Sequence, residues 1–312
     1  MAHLITGGTG FLGVELARKL LARGAEVVLF DLQPDMEALG DLADRLTVLR
    51  GDVSGWPEVL NAVNGRSIES IFHLGALLSV PADENPWAAY RVNANGVMHV
   101  LEAARIFGVP KVIFSSSMGV YAGNTGHIDE STVQAPDSMY GVTKIFGELL
   151  GRFYHRKFGI DFRSARLCTV VGLGARTRHM TQYMAWMIER SLKGEPFEVW
   201  VAESTSNPFI YYRDAVRALL MLHDAPADKI RTRVYNLAGT SSTAVEFARK
   251  VREHLPAARI TFRPDPDAMR LFGKGIGTVD EKAAREEWGW QAEYGVEQAI
   301  LDMKRSFEAG KS

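Results

Sequence analysis

A single cysteine, Cys168, stands in 312 residues, which excludes an intramolecular disulfide and any metal site built from several thiolates. Excess charge is lacking too. The 36 Lys plus Arg against 37 Asp plus Glu leave a formal −1, so there is no overall attraction to nucleic acid or to an anionic membrane. No apolar run approaches the roughly 20 residues that span a bilayer. The opening MAHLITGG enters a strand with no basic flank or cleavage site, which predicts a cytoplasmic protein beginning at Met1. The eight histidines contain no H-E-x-x-H or other close ligand pair, so no metal is expected. Internal repeats and low-complexity tracts are missing as well. What remains, 46% hydrophobic and 23% charged, is the composition of a globular chain held together by core packing.

What is present is alternation. Short β-branched runs at His3–Thr6, Glu26–Phe30, Leu46–Arg50, Ser70–Leu74, Lys111–Ser115 and Phe162–Leu167 read as strands. Helical periods near Phe11–Ala22, Pro57–Val63, Pro86–Phe107 and Ser138–Phe158 separate them. Six such strands with crossover helices predict an α/β fold with a doubly wound parallel sheet. Beyond Leu167 the rhythm breaks. A helix around Met180–Leu192, a strand Phe197–Val201, Phe209–Tyr211 leading into Asp214–His223, and Val234–Leu237 before Val245–His254 follow. Ile260–Phe262, Glu281–Trp288 and Gly295–Ser306 are small additional elements, with Arg263-Pro264-Asp265-Pro266 a loop. This suggests a smaller substrate domain: residues 1–168 plus about 209–240 for the sheet, and about 169–208 plus 241–312 for the cap.

Between the first strand and helix, Gly7-Gly8-Thr9-Gly10-Phe11-Leu12-Gly13 satisfies G-x-G-x-x-G from Gly8 to Gly13. Glycine suits that turn because the backbone angles are unusual, a Cβ would block a pyrophosphate, and the helix must pack close to the strand. The N–H groups at the helix start then hold phosphate oxygens. Gly7, Gly10, Phe11, Leu12 and Gly13 are the expected dinucleotide contacts. Asp31 follows the second strand, 18 residues beyond Gly13, where a carboxylate can accept from both adenosine ribose hydroxyls and would repel a 2′-phosphate. No Arg or Lys stands in Asp31-Leu32-Gln33-Pro34, so NAD is favoured over NADP. Asp31 and Leu32 are placed at the ribose, and Asp52 with Val53, closing the third strand, at the adenine.

Ser117, Tyr140 and Lys144 form Ser…Tyr-x-x-x-Lys. A spacing of four puts Tyr140 and Lys144 on one helical face. A phenol with a pKa of about 10 is a poor base, but a cation near 4 Å at an effective dielectric of about 20 contributes roughly 4 kcal/mol, or about three pKa units. Tyr140 is therefore expected to ionise near working pH and exchange a proton with a secondary alcohol whose oxygen Ser117 also holds.

With these residues in view, the chain resembles the extended short-chain dehydrogenase/reductase family over nearly its whole length. The shared marks are TGGTGFLG at 6–13, Asp31, Asp52-Val53, His73-Leu74-Gly75-Ala76, Asn93-Ala94-Asn95-Gly96, Ser115-Ser116-Ser117 and Tyr140-Gly141-Val142-Thr143-Lys144. The resemblance implies a Rossmann domain with a discontinuous C-terminal substrate domain. It puts Leu74, Gly75 and Ala76 on the nicotinamide side of the cofactor, Lys144 at the nicotinamide ribose, Asn93 under the active-site backbone, and Ser115, Tyr140 and Leu167 among the cofactor contacts. Carried over, Ser79 is a substrate contact, and with it Ser117, Met118, Tyr140, Cys168, Thr169 and Arg178 are the residues expected at a small-molecule substrate.

Within the family, Ala76-Leu77-Leu78-Ser79, Asn85-Pro86, Val234–Gly239 and Ala284–Trp290 resemble short-chain L-threonine 3-dehydrogenases, whereas Arg166–Val171 and Gly194–Ala225 are closer to D-erythronate dehydrogenases. These favour an oxidoreductase acting on a hydroxy acid or hydroxy amino acid. FSSSMGVY at 114–121 and Phe209-Ile210-Tyr211 before Asp214 also resemble nucleotide-sugar epimerases, but their diphosphate-binding Arg is here Asn207. Arg263-Pro264 still resembles their second diphosphate site. A dinucleotide sensor without chemistry is the third reading, and retention of Ser117, Tyr140 and Lys144 together speaks against it.

Arg176, Arg178 and His179 form a cationic cluster able to receive a carboxylate or phosphate. Cys168, after a buried strand, reads as core or pocket lining and not as a nucleophile, His73 as structural, and Met180, Met184 and Met187 as an apolar helical face, either core or a pocket lid. Apolar faces on Pro86–Phe107 and Ser138–Phe158 are the ones that pair into a homodimer in the resembling family.

Overall fold

The computed structural model describes residues 2–121, 124, 126–175, 181–266, 268–269 and 276–310. The strands are β1 (Ala2–Thr6), β2 (Glu26–Asp31), β3 (Thr47–Arg50), β4 (Ile68–His73), β5 (Lys111–Ser117), β6 (His127–Ile128), β7 (Asp161–Leu167), β8 (Thr169–Val171), β9 (Phe197–Val199), β10 (Ser206–Tyr211), β11 (Val234–Leu237), β12 (Thr240–Thr243), β13 (Ile260–Phe262) and β14 (Thr278–Val279). Seven of them form one parallel sheet in the order β11-β7-β5-β4-β1-β2-β3. β1 pairs with β2 from Ala2↔Glu26 to Thr6↔Phe30, and its other edge ends on Thr6↔His73 of β4. The winding direction reverses between β1 and β4, and the crevice beyond their carboxyl ends is where open α/β sheets bind ligands.

The crossover helices are α1 (Phe11–Ala22), α2 (Met36–Leu39), α3 (Trp56–Val63), α4 (Ser79–Glu84), α5 (Pro86–Ala89), α6 (Gly96–Phe107) and α7 (Met139–Phe158). Val97, Val100, Leu101 and Ala104 of α6 pack with Val112 and Phe114 of β5 and Ile71 of β4 in one buried cluster. Removing such apolar surface from water drives the layered arrangement. The helix expected over Pro86–Phe107 is present over those bounds. Within it a wide π-helical turn, Tyr90–Asn95, joins α5 to α6 and carries Asn93.

The chain divides into two compact units, Met1–Val120 with Gln134–Arg166 and Val216–Tyr235, and Tyr121–Val133 with Leu167–Ala215 and Asn236–Ser312. In the second, α8 (Tyr183–Leu192) places Tyr183, Met184, Met187 and Ile188 against Phe209 and Tyr211 of β10. The helix α9 (Tyr212–Asp224) follows β10, and α10 (Ala244–His254) adds Phe247 and Val251 to the same core, with Ile300 and Met303 from the helix Val296–Glu308. Met184 and Met187 are therefore core residues, and Met180 lies outside the described residues.

Candidate active site

The turn after β1 is built for close approach. Gly7 has φ +66°, and a Cβ there would stand 2.8 Å from the Gly75 Cα; one on Gly13 would meet the carbonyl oxygens of Gly7 and Gly8 at 2.5 Å. Neither position accepts a side chain. α1 starts at Gly10 with no side-chain cap and no acidic residue in its first turn, a helix start suited to a pyrophosphate. Asp31, ending β2, is held toward this turn: its Oδ2 accepts from the Thr9 N–H at 3.0 Å and the Thr9 hydroxyl at 2.9 Å. Leu32 beside it is exposed. After β3, Asp52 Oδ1 accepts from the Ser54 N–H at 2.7 Å, and the buried Val53 packs on Gly96, whose Cβ would lie 3.0 Å from it. A glycine cradle beside an anchored carboxylate fits a dinucleotide.

The exit from β4 is tied to the same turn. His73 Nδ1 shares a 2.6 Å hydrogen bond with the Thr6 hydroxyl, which also accepts from the Gly75 N–H at 3.3 Å, while the Leu74 N–H donates to the Thr6 carbonyl at 3.2 Å. Burial, with the Lys144 charge, brings the His73 pKa down to about 3, so the imidazole is neutral. Asn93 Oδ1 accepts from the Leu77 N–H at 2.8 Å, and its Nδ2 donates to the Leu77 carbonyl at 3.0 Å and the Thr143 hydroxyl at 3.1 Å. Thr143 in turn donates to the Tyr140 carbonyl at 2.8 Å. The π-helical turn thus delivers one amide to both the β4 exit loop and the start of α7, as such widened turns often do at functional sites.

α7 begins at Met139, with the Ser138 hydroxyl accepting from the Gly141 N–H at 3.1 Å. Tyr140 packs among Ala76, Leu77, Leu78, Ala82, Ala89 and Met139. The Ser117 hydroxyl stands by its phenol and favours the ionised form, and it accepts from the Gly119 N–H at 3.1 Å. Lys144 donates to the Ser115 carbonyl at 2.6 Å and stands 4.8 Å from the Phe114 ring centre and 5.3 Å from that of Tyr140. Ser115, Ser117, Tyr140 and Lys144 are therefore one group.

Its titration departs from expectation. Burial pushes the Tyr140 phenol up to about 12, with the Ser117 hydrogen bond pulling the other way. Burial also brings Lys144 down to about 7, opposed by Glu148. The expectation weighed only a cation near the phenol and not the burial of both groups; Tyr140 and Lys144 are dry, and the ammonium is turned onto the Ser115 carbonyl.

Sequence reading missed the layer beneath. Glu148 is one turn beyond Lys144 and buried. Its Oε1 accepts from the Ser116 hydroxyl and from Arg166 Nε at 2.9 Å, and its Oε2 from Arg166 Nη2 at 2.7 Å and Gln134 Nε2 at 2.9 Å. The signal was there: a carboxylate four residues past the lysine on one helical face, and an arginine inside an apolar strand.

Other expected residues lie as follows. Ser79 starts α4, buried, its hydroxyl without a partner among the described residues, and Met118 is buried just after β5. In the second unit Leu167 is buried at the end of β7 and Thr169 shares a 2.6 Å hydrogen bond with Thr181. Cys168 donates to the Ala238 carbonyl at 3.0 Å, and burial pushes its thiol well up, which fits core and not a nucleophile. Asn207 is buried in β10, whereas Arg263 is exposed, 3.8 Å from Glu198. Arg176, Arg178 and His179 fall outside the described residues. Among the described residues no metal-binding cluster occurs.

The sequence profile of the NAD dependent epimerase/dehydratase family matches residues 3–238. This chain belongs to that family. Members similar to it include mitochondrial L-threonine 3-dehydrogenase of Bos taurus, 28% identical over 305 residues that cover 96% of this chain and 81% of that one. Among solved structures, a GalE-like L-threonine dehydrogenase from Cupriavidus necator in its holo form is 30% identical with a TM-score of 0.91, covering 98% of this chain and 100% of that one. A monomeric L-threonine 3-dehydrogenase from a metagenome, in its apo form, is 25% identical with a TM-score of 0.90, covering 99% and 100%. The chain is an enzyme of the NAD-dependent epimerase/dehydratase type. No helix among its described residues is long and apolar enough to cross a membrane.

Proposed function

We propose that this enzyme is an NAD-dependent dehydrogenase that oxidises the secondary alcohol of a small hydroxy acid or hydroxy amino acid. The observation that carries the reading is the group formed by buried Tyr140 and Lys144 at the start of α7 with Ser117 at the end of β5. Tyr140 packs on the loop leaving β4, and Gly75 of that loop abuts the Gly7 turn.

Gly7, Gly10 and Gly13 leave room for the pyrophosphate at the start of α1, Asp31 accepts from the adenosine ribose hydroxyls, and Asp52 and Val53 border the adenine. The Asp31 carboxylate, fixed by Thr9, repels a 2′-phosphate and makes the enzyme selective for NAD. NAD, when bound, supplies the two-electron acceptor. Ser117 holds the alcohol oxygen, Tyr140 takes its proton, and the Lys144 ammonium offsets the charge left on the phenol. Ser79, a buried hydroxyl near this cluster with no partner among the described residues, is assigned to the substrate. Asn207 gives up the fixed cation and bidentate fork that a nucleotide diphosphate would use.

NADH formation from L-threonine, four-carbon hydroxy acids, other secondary alcohols and UDP-glucose, followed by absorbance, tests this. Net NADH is expected from a small hydroxylated substrate, and Tyr140→Phe should lower that turnover by at least about 100-fold while NAD affinity changes little. Interconversion of UDP-glucose and UDP-galactose without net NADH would overturn the reading, as would ordinary turnover by Tyr140→Phe.

A second copy of the chain is assigned to the exposed apolar stripe of Val142, Phe146, Leu149 and Phe153 on α7, with Met98 and Ile106 on α6. Such a stripe is more apolar than a solvated surface needs.

A further inference from the structure

Glu148 and Arg166 form a bidentate ion pair with 3% and 2% of the arginine and glutamate side chains exposed. Removing two charges from water is costly, and an apolar pair of similar volume generally stabilises a fold as well or better. Fold stability alone therefore gives little reason for this pair. Its place gives another. Tyr140, Lys144 and Glu148 follow at intervals of four along α7, one above the next. Ser116, whose hydroxyl donates to Glu148, sits between Ser115, which receives Lys144, and Ser117, which meets Tyr140.

We propose that Glu148 is a positioning residue for this site: its carboxylate, gripped by Arg166, Gln134 and Ser116, pins the Ser115–Ser117 strand end to α7 and supplies a negative charge that favours the ammonium form of Lys144. This rests on the assignment of Tyr140 and Lys144 to proton transfer and deepens it. The groups facing Lys144 are Tyr140 and Glu148 on α7, neutral His73 on β4, and the Ser115 carbonyl and Phe114 ring of β5. The groups facing Glu148 are Ser116 of β5, Arg166 of β7, Gln134, and Arg152 one turn further along α7. Glu148 is the acidic group among these. Its charge acts on Lys144 directly and opposes the desolvation that strips the ammonium of its proton.

The test is the 13Cε NMR titration of Lys144, assigned by the resonance lost in Lys144→Met, in the full-length wild type, in Glu148→Gln and in the double variant Glu148→Gln/Arg166→Gln. The double variant removes both charges together, so it leaves no unpaired buried ion if the single variant fails to fold. The Lys144 midpoint is expected to fall by about one pH unit in Glu148→Gln, and to fall by less in the double variant, where loss of the Arg166 charge offsets part of the lost carboxylate. A purely structural ion pair predicts that the double variant, folded, titrates like the wild type. An unmoved or raised midpoint in the double variant would overturn the proposal. The titration needs no substrate, so it is independent of whether NADH forms, and failure of the dehydrogenase reading is told apart from failure of this one.

Discussion

Tyr140 and Lys144 are best treated as one titrating unit. Lys144 gives up a proton near about 7 and Tyr140 near about 12, so between those values the pair holds a single proton. Tyrosinate beside ammonium and phenol beside neutral amine then contain the same number of protons, and the balance between them does not change with pH. Below about 7 the pair carries an extra proton that must leave before the phenol can act as base. The sign follows: kcat/KM for alcohol oxidation is expected to rise about tenfold per pH unit up to about 7 and to level off above it. A pH profile read by NADH absorbance checks this, and a continuous climb to pH 10 would contradict it.

The helix α7 depends on glycine where it crosses the sheet. A Cβ on Gly147 would lie 2.6 Å from the Phe114 ring, and one on Gly151 would lie 2.2 Å from that of Phe162. Alanine is the better helix former by about 1 kcal/mol. Both rings are buried in the core, however, and overpacking there costs about 1–3 kcal/mol. Gly151→Ala is therefore expected to destabilise by about 1 kcal/mol or more and to lower activity, because α7 carries Tyr140, Lys144 and Glu148 together. The urea midpoint and NADH formation rate measure both effects, and a stabilised, fully active variant would show that the helix can withdraw freely. The same dependence on neighbours holds at the π-helical turn within the expected helix Pro86–Phe107. Its apolar period is helical throughout, yet Asn93 is held by Leu77 and Thr143, and those partners belong to distant parts of the chain.

For the whole molecule, the exposed stripe on α6 and α7 sets the expected assembly. Val142, Phe146, Leu149 and Phe153 recur at spacings of four, three and four, the period of one helix face. A homodimer mass by light scattering is expected at micromolar protein, and Leu149→Glu with Phe153→Glu should shift it to monomer without loss of folded signal. A monomer mass for the wild type would contradict the assignment; a solved relative described as monomeric makes this worth measuring.

Local sequence determined much of this protein: strand and helix order, the glycine turn, Asp31 at the end of β2, and the Ser…Tyr-x-x-x-Lys spacing are properties of short segments. Hydrophobic period and backbone sterics act over a few residues, so a reader of the chain meets them directly. Tertiary structure decided what depends on surroundings. Tyr140 has the same neighbours in sequence whether wet or dry, and only its burial raises the phenol to about 12. Glu148 looks like any helical carboxylate until Arg166, Ser116 and Gln134, distant in sequence, converge on it. Thr9 became an anchor for Asp31 only when the turn and β2 met. Charge state, hydrogen-bond partners and steric tolerance arise from groups brought together across the fold, where desolvation strengthens every interaction and penalises each one left unmade.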